Sequence, residues 1–197
     1  MSPQAEAVLG LFRHTGAYLR GHFRLTSGLH SPEYLQCALV LQYPQHAERL
    51  GRDLAGRLLG MAPDGRVDVV ASPAIGGLII GHEVARVLGS RFIFTERDPE
   101  GKMTLRRGFS VGQGEKAMVV EDVVTTGGST KEVVEVLRAA GAVVLAAGSI
   151  IDRSGGAADV GVQRLALATL EVTAYRPDDC PLCRQGLPVT KPGSRAV

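Results

Sequence analysis

Several features that would settle a protein's class by themselves are missing from this 197-residue chain. No apolar run approaches the length of a membrane span, and the N-terminus has no signal-peptide layout, so a cytoplasmic protein with no membrane partner is expected. Cysteine is scarce: Cys37, Cys180 and Cys183 do not make a secreted disulfide framework. Excess charge is missing too, since a formal net charge of +2 is too small to argue for nucleic acid as a partner. Lysine is rare, occurring only at Lys102, Lys116, Lys131 and Lys191 in a basic set dominated by arginine. There is no Walker lysine and no GxGxxG spacing, which disfavours nucleoside triphosphatases and dinucleotide-binding enzymes.

What is present is an ordinary soluble composition, long enough for one good core with a small appended subdomain. The chain is organised around Ala117 to Thr130, AMVVEDVVTTGGST. Ala117 to Val120 has the continuous apolar character of a buried parallel strand. Two acids follow, Glu121 and Asp122, and then a hydroxyl- and glycine-rich turn from Thr125 to Thr130. Val133, Val134, Val136 and Leu137 continue at helical spacing, and Ser129 with Glu132 reads as a capping box that would start the helix there. A strand running through such a turn into a helix N-terminus holds an anion, because unpaired N–H groups and the positive end of the helix point at it. Carboxylates beside a phosphate would repel it unless they face another part of the ligand. Vicinal sugar hydroxyls, each able to donate to a carboxylate oxygen, are the natural partner. The loop therefore reads as a ribose-5-phosphate holder.

Around this stretch the chain alternates helix and strand. A first helix opens at Ser2-Pro3, and Phe23 to Tyr34 reads as a hairpin-like flap whose second extended segment reaches Val40. Pro44 opens a helix that stops at Gly60. The strand Val67 to Ala71 leads through Ser72-Pro73-Ala74-Ile75-Gly76-Gly77 into a helix from Leu78 to about Leu88, a second place for an anion at the same sheet edge. The strand Arg91 to Thr95 precedes Glu96 to Gly108, ERDPEGKMTLRRG, a cation-bearing segment long enough to be a functional lid. Val143 to Ile151 is a strand ending in Asp152-Arg153, where a guanidinium would meet ligands at the sheet's carboxyl edge. One or two last strands follow between Leu165 and Tyr175. The lone pair Cys180-x-x-Cys183 lacks the two further ligands that a structural zinc needs, so it reads as structural or incidental and no protein metal set is assigned. Alternation from Pro44 to Ile151 predicts an α/β domain with a mostly parallel sheet.

Val119-Val120-Glu121-Asp122-Val123-Val124-Thr125-Thr126-Gly127-Gly128-Ser129 resembles the phosphoribosyl pyrophosphate signature of type I phosphoribosyltransferases. Within that family the chain is most similar to the orotate branch, whose hood segment FxLxSGxxSPxY is matched by Phe23 to Tyr34. The resemblance implies the type I fold: a mostly parallel sheet flanked by helices, with a hood made of the N-terminal flap and the C-terminal segment. It implies one domain over 1–197, with helix and hood in 1–43, the α/β core in 44–153, and C-terminal strands and tail in 154–197. It implies transfer of phosphoribosyl from 5-phosphoribosyl 1-pyrophosphate (PRPP) to orotate. On that resemblance Glu121 to Ser129, with Val123 and Val124 among them, bind PRPP: Thr125, Thr126, Gly127, Gly128 and Ser129 hold the 5′-phosphate, and Glu121 and Asp122 hold the ribose. Ala74, Ile75, Gly76 and Gly77 hold the pyrophosphate. Arg97 and Lys102 neutralise it as it leaves, Lys102 and Asp122 being the catalytic pair. Lys102 would act across a homodimer. Where the family has a histidine after that lysine, Met103-Thr104-Leu105 stands here, leaving Arg106 or Arg107 as substitutes. Orotate would meet Thr125, Arg153, Thr26, Ser27, Tyr34 and Leu35, although the family often has lysine where Thr26 stands. Mg²⁺ is expected, bound mainly through the substrate. Two rivals stay open: a purine acceptor, and a regulator that binds PRPP without turning it over.

Overall fold

The computed structural model describes residues 2–25 and 27–192. The first helix, α1 (Pro3–His14), is capped by Ser2, whose Oγ accepts from the Ala5 N–H at 3.2 Å. An antiparallel hairpin follows, β1 (Tyr18–Arg24) and β2 (His30–Leu35). The extended segment expected to reach Val40 stops short: Cys37–Leu41 forms a short helix, α2, that buries Cys37, Val40 and Leu41. Burial on one face outweighs the strand preference of Val40.

The remaining order is α3 (Pro44–Leu59), β3 (Val69–Pro73), α4 (Gly77–Leu88), β4 (Arg91–Arg97), β5 (Met103–Leu105), β6 (Lys116–Val124), α5 (Gly128–Ala139), β7 (Val143–Asp152), β8 (Arg164–Thr169) and α6 (Pro181–Arg184). Six strands form one sheet in the order β5-β4-β3-β6-β7-β8, parallel except for the edge strand β5. This is a mostly parallel sheet with helices packed on both faces, as expected. Leu170 to Tyr175 adds single bridges, His30 with Tyr175 and Ser154 with Glu171, rather than a last strand.

The alternation of β6 explains why its centre is apolar throughout. Met118 and Val120 face a core with Phe12, Leu50, Leu54, Leu58 and Ile80, brought by α1, α3 and α4. Ala117 and Val119 face the opposite layer, with Val133, Val134 and Leu137 of α5. Burying side chains of this size stabilises by about 1.5–3 kcal/mol each.

Glu96 to Gly108 is more ordered than a lid-like reading suggests. β4 runs on to Arg97 and returns as β5, with Thr95, Glu96 and Arg97 opposite Leu105, Thr104 and Met103. The turn is closed by Asp98, whose N–H donates to the Lys102 carbonyl and whose Oδ1 accepts from the Lys102 N–H.

Candidate active site

The strand order places the crevice. From β3 the chain crosses through α4 to β4 on one side, and from β6 through α5 to β7 on the other. The two loops leaving adjacent strands therefore diverge, and ligands bind beyond the carboxyl ends of strands at such a point. Ala74 to Gly76 and Thr125 to Gly127 are those loops, with Glu121 and Asp122 near the end of β6 beside them.

Thr125 to Ser129 leads from β6 into the N-terminus of α5, the place where an anion cradle is expected. Helix α5 begins at Gly128, with Gly127 as its N-cap in the left-handed region (φ 82°). A Cβ on Gly127 would also lie 2.9 Å from Val160 Cγ1, so the turn requires glycine twice over. The expected capping box is not formed: no side chain caps this helix, and Glu132 instead pairs with Arg97 at 2.7 Å. An anion is better served this way, because a capping hydroxyl would compete for the first N–H groups. A hollow of about 70 Å³ is lined by Glu121 and by residues from Val123 to Thr130.

The two acids sit at the lip. Glu121 is 8% exposed and accepts only the Asp122 N–H among the described residues, at 3.1 Å. Burial, and then the adjacent Asp122 charge, push the Glu121 carboxyl well above the usual carboxylate range. Asp122 Oδ1 accepts the N–H of Val123 at 2.7 Å. Pro73, Ala74, Ile75, Gly76, Glu96, Arg97, Glu121, Asp122, Val123 and Ser129 enclose about 460 Å³. Gly76 allows this closeness, since a Cβ there would stand 2.7 Å from Asp122 Oδ1. Gly77 serves a different contact: its missing side chain lets α4 approach Ser72 and the Val120 carbonyl.

A second cavity, about 500 Å³, adjoins the first through Asp122, Val123 and Ser129. Its other walls are Leu25, Ser27, Tyr34, Leu35 and Gln36 from the hairpin side, Thr125 and Thr126, and Arg153. The Arg153 guanidinium lies 5.9 Å from the centre of the Tyr34 ring. Its Nε is buried and has no hydrogen-bond partner among the described residues. Burial lowers Arg153 from its ordinary value. A half-buried guanidinium with an unpartnered Nε, facing a cavity, has the donors to meet a carboxylate there.

Most of the sequence-selected residues thus converge. Thr26 lies outside the described residues. Lys102 lines neither cavity; it borders a separate hollow with Met103, Glu132, Glu135 and Val136. Of the two arginines after it, Arg107 is committed within its own chain, donating from Nε and Nη2 to Glu96 at 2.7 and 2.8 Å. Sequence reasoning missed Glu96, Gln36 and the network behind Arg153. In that network Asp152 accepts from Ser154 Oγ at 2.6 Å and Arg164 Nη1 at 2.9 Å. These bonds outweigh burial and hold its carboxyl below the usual range. Asp152 stood beside Arg153 in sequence, but only the fold brings Arg164 to it.

Comparisons with known proteins show the family and the type I phosphoribosyltransferase fold. A model of the phosphoribosyl transferase domain matches residues 41–163. The orotate phosphoribosyltransferase of Pelotomaculum thermopropionicum is 55% identical over 192 residues, covering 98% of each chain. That of Desulforamulus reducens is 53% identical over the same length and share. Among solved structures, orotate phosphoribosyltransferase from Aeropyrum pernix superposes with a TM-score of 0.69 at 28% identity, covering 83% of this chain and 94% of that one.

Proposed function

The chain belongs to the phosphoribosyltransferase family, on its orotate branch, and from that membership we propose that it transfers phosphoribosyl from PRPP to orotate, giving orotidine 5′-monophosphate and pyrophosphate. The observation that carries the acceptor is Arg153, whose unpaired Nε adjoins the cavity shared by the hairpin and the phosphate cradle. Orotate bears a carboxylate beside its reacting ring nitrogen, and a purine base does not.

In this reading Thr125 to Ser129 and the start of α5 hold the 5′-phosphate, with Glu121 and Asp122 accepting from the ribose hydroxyls. Ala74, Ile75 and Gly76 border the pyrophosphate, with Gly77 setting the helix behind them. Thr125, Ser27, Tyr34, Leu35 and Arg153 surround orotate. The sugar C1–O bond breaks, pyrophosphate keeps the electron pair, and the ring nitrogen of orotate forms the new bond. Positive charge grows on the ribose above the two carboxylates, so catalysis is chiefly positioning and electrostatic stabilisation.

The oxygen donors around the 460 Å³ cavity, Glu121 and Asp122, fit a hard cation. Mg²⁺, bound mainly through substrate phosphates, would offset charge on the leaving group. Arg97 already faces this cavity, whereas Lys102 does not. Its placement supports action on a neighbouring subunit's site, and hence a homodimer. No helix among the described residues is long and apolar enough to cross a membrane. In this reading the enzyme works in the cytoplasm.

Pyrophosphate release from PRPP and Mg²⁺, with orotate, uracil, adenine, hypoxanthine and guanine tested separately, decides the acceptor. Release with orotate alone is expected. Arg153→Gln should lower kcat/KM for orotate by roughly 10- to 100-fold, the worth of a charge-assisted hydrogen bond. Its PRPP affinity should stay unchanged. Release with a purine would overturn the role of Arg153, and release with none would favour a PRPP-binding regulator.

A further inference from the structure

Four side chains outside the active site meet where the hairpin and the C-terminal segment touch: His22, His30, Cys180 and Cys183. One ligand atom from each lies within 4.8 Å of all the others. His22, His30 and Cys180 are buried, while Cys183 is exposed. We propose that these four residues form a structural zinc site that ties the C-terminal segment to the hairpin.

Their distances suit a tetrahedral ion. Zn–S of about 2.3 Å and Zn–N of about 2.0–2.1 Å at tetrahedral angles put sulfur and nitrogen about 3.5 Å apart. The measured separations are 3.6 Å from Cys180 Sγ to His22 Nε2, 3.7 Å from Cys183 Sγ to His22 Nε2, and 3.3 Å from Cys183 Sγ to His30 Nδ1. The two imidazole nitrogens are 2.9 Å apart and would widen by about 0.4 Å around the ion.

The orientation of His22 favours a cation over a hydrogen-bonded cluster. Its Nδ1 lies 2.8 Å from the Leu187 carbonyl, an acceptor, so Nδ1 carries the proton and Nε2 presents a lone pair. Three groups crowd that single lone pair: His30 Nδ1 and both sulfurs. One lone pair cannot accept three donors well, but it can join three other ligands around one ion. A backbone carbonyl holding the far nitrogen of a ligating histidine is also how metal sites fix the ring. Two sulfurs and two nitrogens in a tetrahedron select zinc among common divalent metals. Binding releases the two thiol protons to solvent.

The local folding serves this convergence. The register of the hairpin shifts between Arg20 and Phe23, so His22 and Phe23 are both buried in succession instead of alternating. Such an irregularity re-aims a side chain, and here it turns His22 toward His30. Cys180 precedes α6 and Cys183 lies within it, the two-residue spacing used by zinc-binding cysteines. A two-stranded hairpin is marginal alone, and among the described residues the C-terminal segment has no helix longer than four residues to pack against it. Backbone bonds stitch them at His30–Tyr175 and at Thr190 with His22 and Arg24. A metal at that seam would supply what a small core cannot. The site is independent of the acceptor chosen by the active site.

The test is metal content of the desalted, reduced protein by inductively coupled plasma mass spectrometry. About one zinc per chain is expected, falling below about a tenth in Cys180→Ser/Cys183→Ser and staying near one in Cys37→Ala. Should the double variant fold poorly, cobalt-loaded wild-type protein decides: a thiolate-to-cobalt charge-transfer band with tetrahedral d–d absorption is expected. Wild-type protein with no zinc and no such band overturns the site. Equal zinc in the double variant, or a Cys180–Cys183 disulfide in place of metal under reducing conditions, overturns it as well.

Discussion

The sugar-phosphate half of the site and the hood above it are built in opposite ways. The first comes from one continuous stretch, Glu121 to Ser129, placed by a strand buried on both faces and a helix packed beneath it. The second is assembled from segments about 150 residues apart, joined by a hairpin, a few backbone bonds and a cluster of polar side chains. A ligand held by the first meets a rigid floor. A ligand held by the second depends on parts whose own cores are thin, and low-stability elements of this kind are the ones that move. Chemistry should therefore fail when the floor is altered, while hood changes should act mostly on binding and local opening.

Lys102 breaks the comparison most severely if its role is wrong, because it belongs to neither half of its own chain's site. Lys102→Ala is expected to lower kcat by about 10²–10³, the cost of removing one donor from a developing anion, with KM nearly unchanged. Mixing it with an Asp122→Ala chain should restore part of the activity through hybrid dimers that keep one intact site. Steady-state kinetics on the mixed and unmixed proteins checks both. No recovery would mean that each chain completes its own site and that the β4–β5 hairpin must bend inward to do so.

The contrast also explains what could be read from sequence. The cradle was legible because strand, acids, glycines and helix are consecutive, and each residue type has one physical reason to be there. Arg153 was legible for a related reason: a charge at the end of an apolar strand in a parallel sheet has few other uses. The hood was legible only in outline. C-x-x-C looked incomplete because its other two ligands, His22 and His30, lie about 150 residues upstream and show no metal spacing with it. The capping box failed because Arg97 from another strand claims Glu132, a contact that no local pattern carries. Val40 was drawn into a helix by burial that only tertiary packing decides.

Glu121 tests the floor with a smaller effect. Its carboxyl is held well above the usual range by burial and by Asp122, so the folded protein binds that proton more tightly than the unfolded chain does. The stability it contributes is present below the unfolded pKa of about 4.3 and is lost as pH rises through the raised folded value. Glu121→Gln should therefore raise the Tm at neutral pH, by roughly 2–4 °C for each kcal/mol relieved, and the gain should disappear in acid. The Gln oxygen can keep the bond to the Asp122 N–H. Ribose hydroxyls favour the ionised carboxylate, so PRPP binding should release part of a proton, seen as a buffer-dependent heat in calorimetry and absent in the variant. A variant that is less stable at neutral pH would show that Glu121 is paired by something stronger than its own strand. It would then be part of the scaffold, not a group kept unsatisfied for a ligand.

Ser31 asks whether the hood opens as a unit separate from the floor. Its buried Oγ has its one hydrogen shared between the carbonyls of Glu33 (2.9 Å) and Thr173 (3.1 Å) and accepts the Glu33 N–H at 3.2 Å, tying β2 to the C-terminal segment. Ser31→Ala should cost about 1 kcal/mol, and if opening is local that cost appears only there. The amides of His30, Tyr175 and Thr190, which donate across this seam, should then exchange about five times faster. Amides of Met118 to Val120 in the central strand should keep their rates. Equal acceleration in both places would mean that hood and sheet unfold together. Thin packing at the seam would then be no guide to motion, and the hood would hold its ligand as firmly as the cradle does.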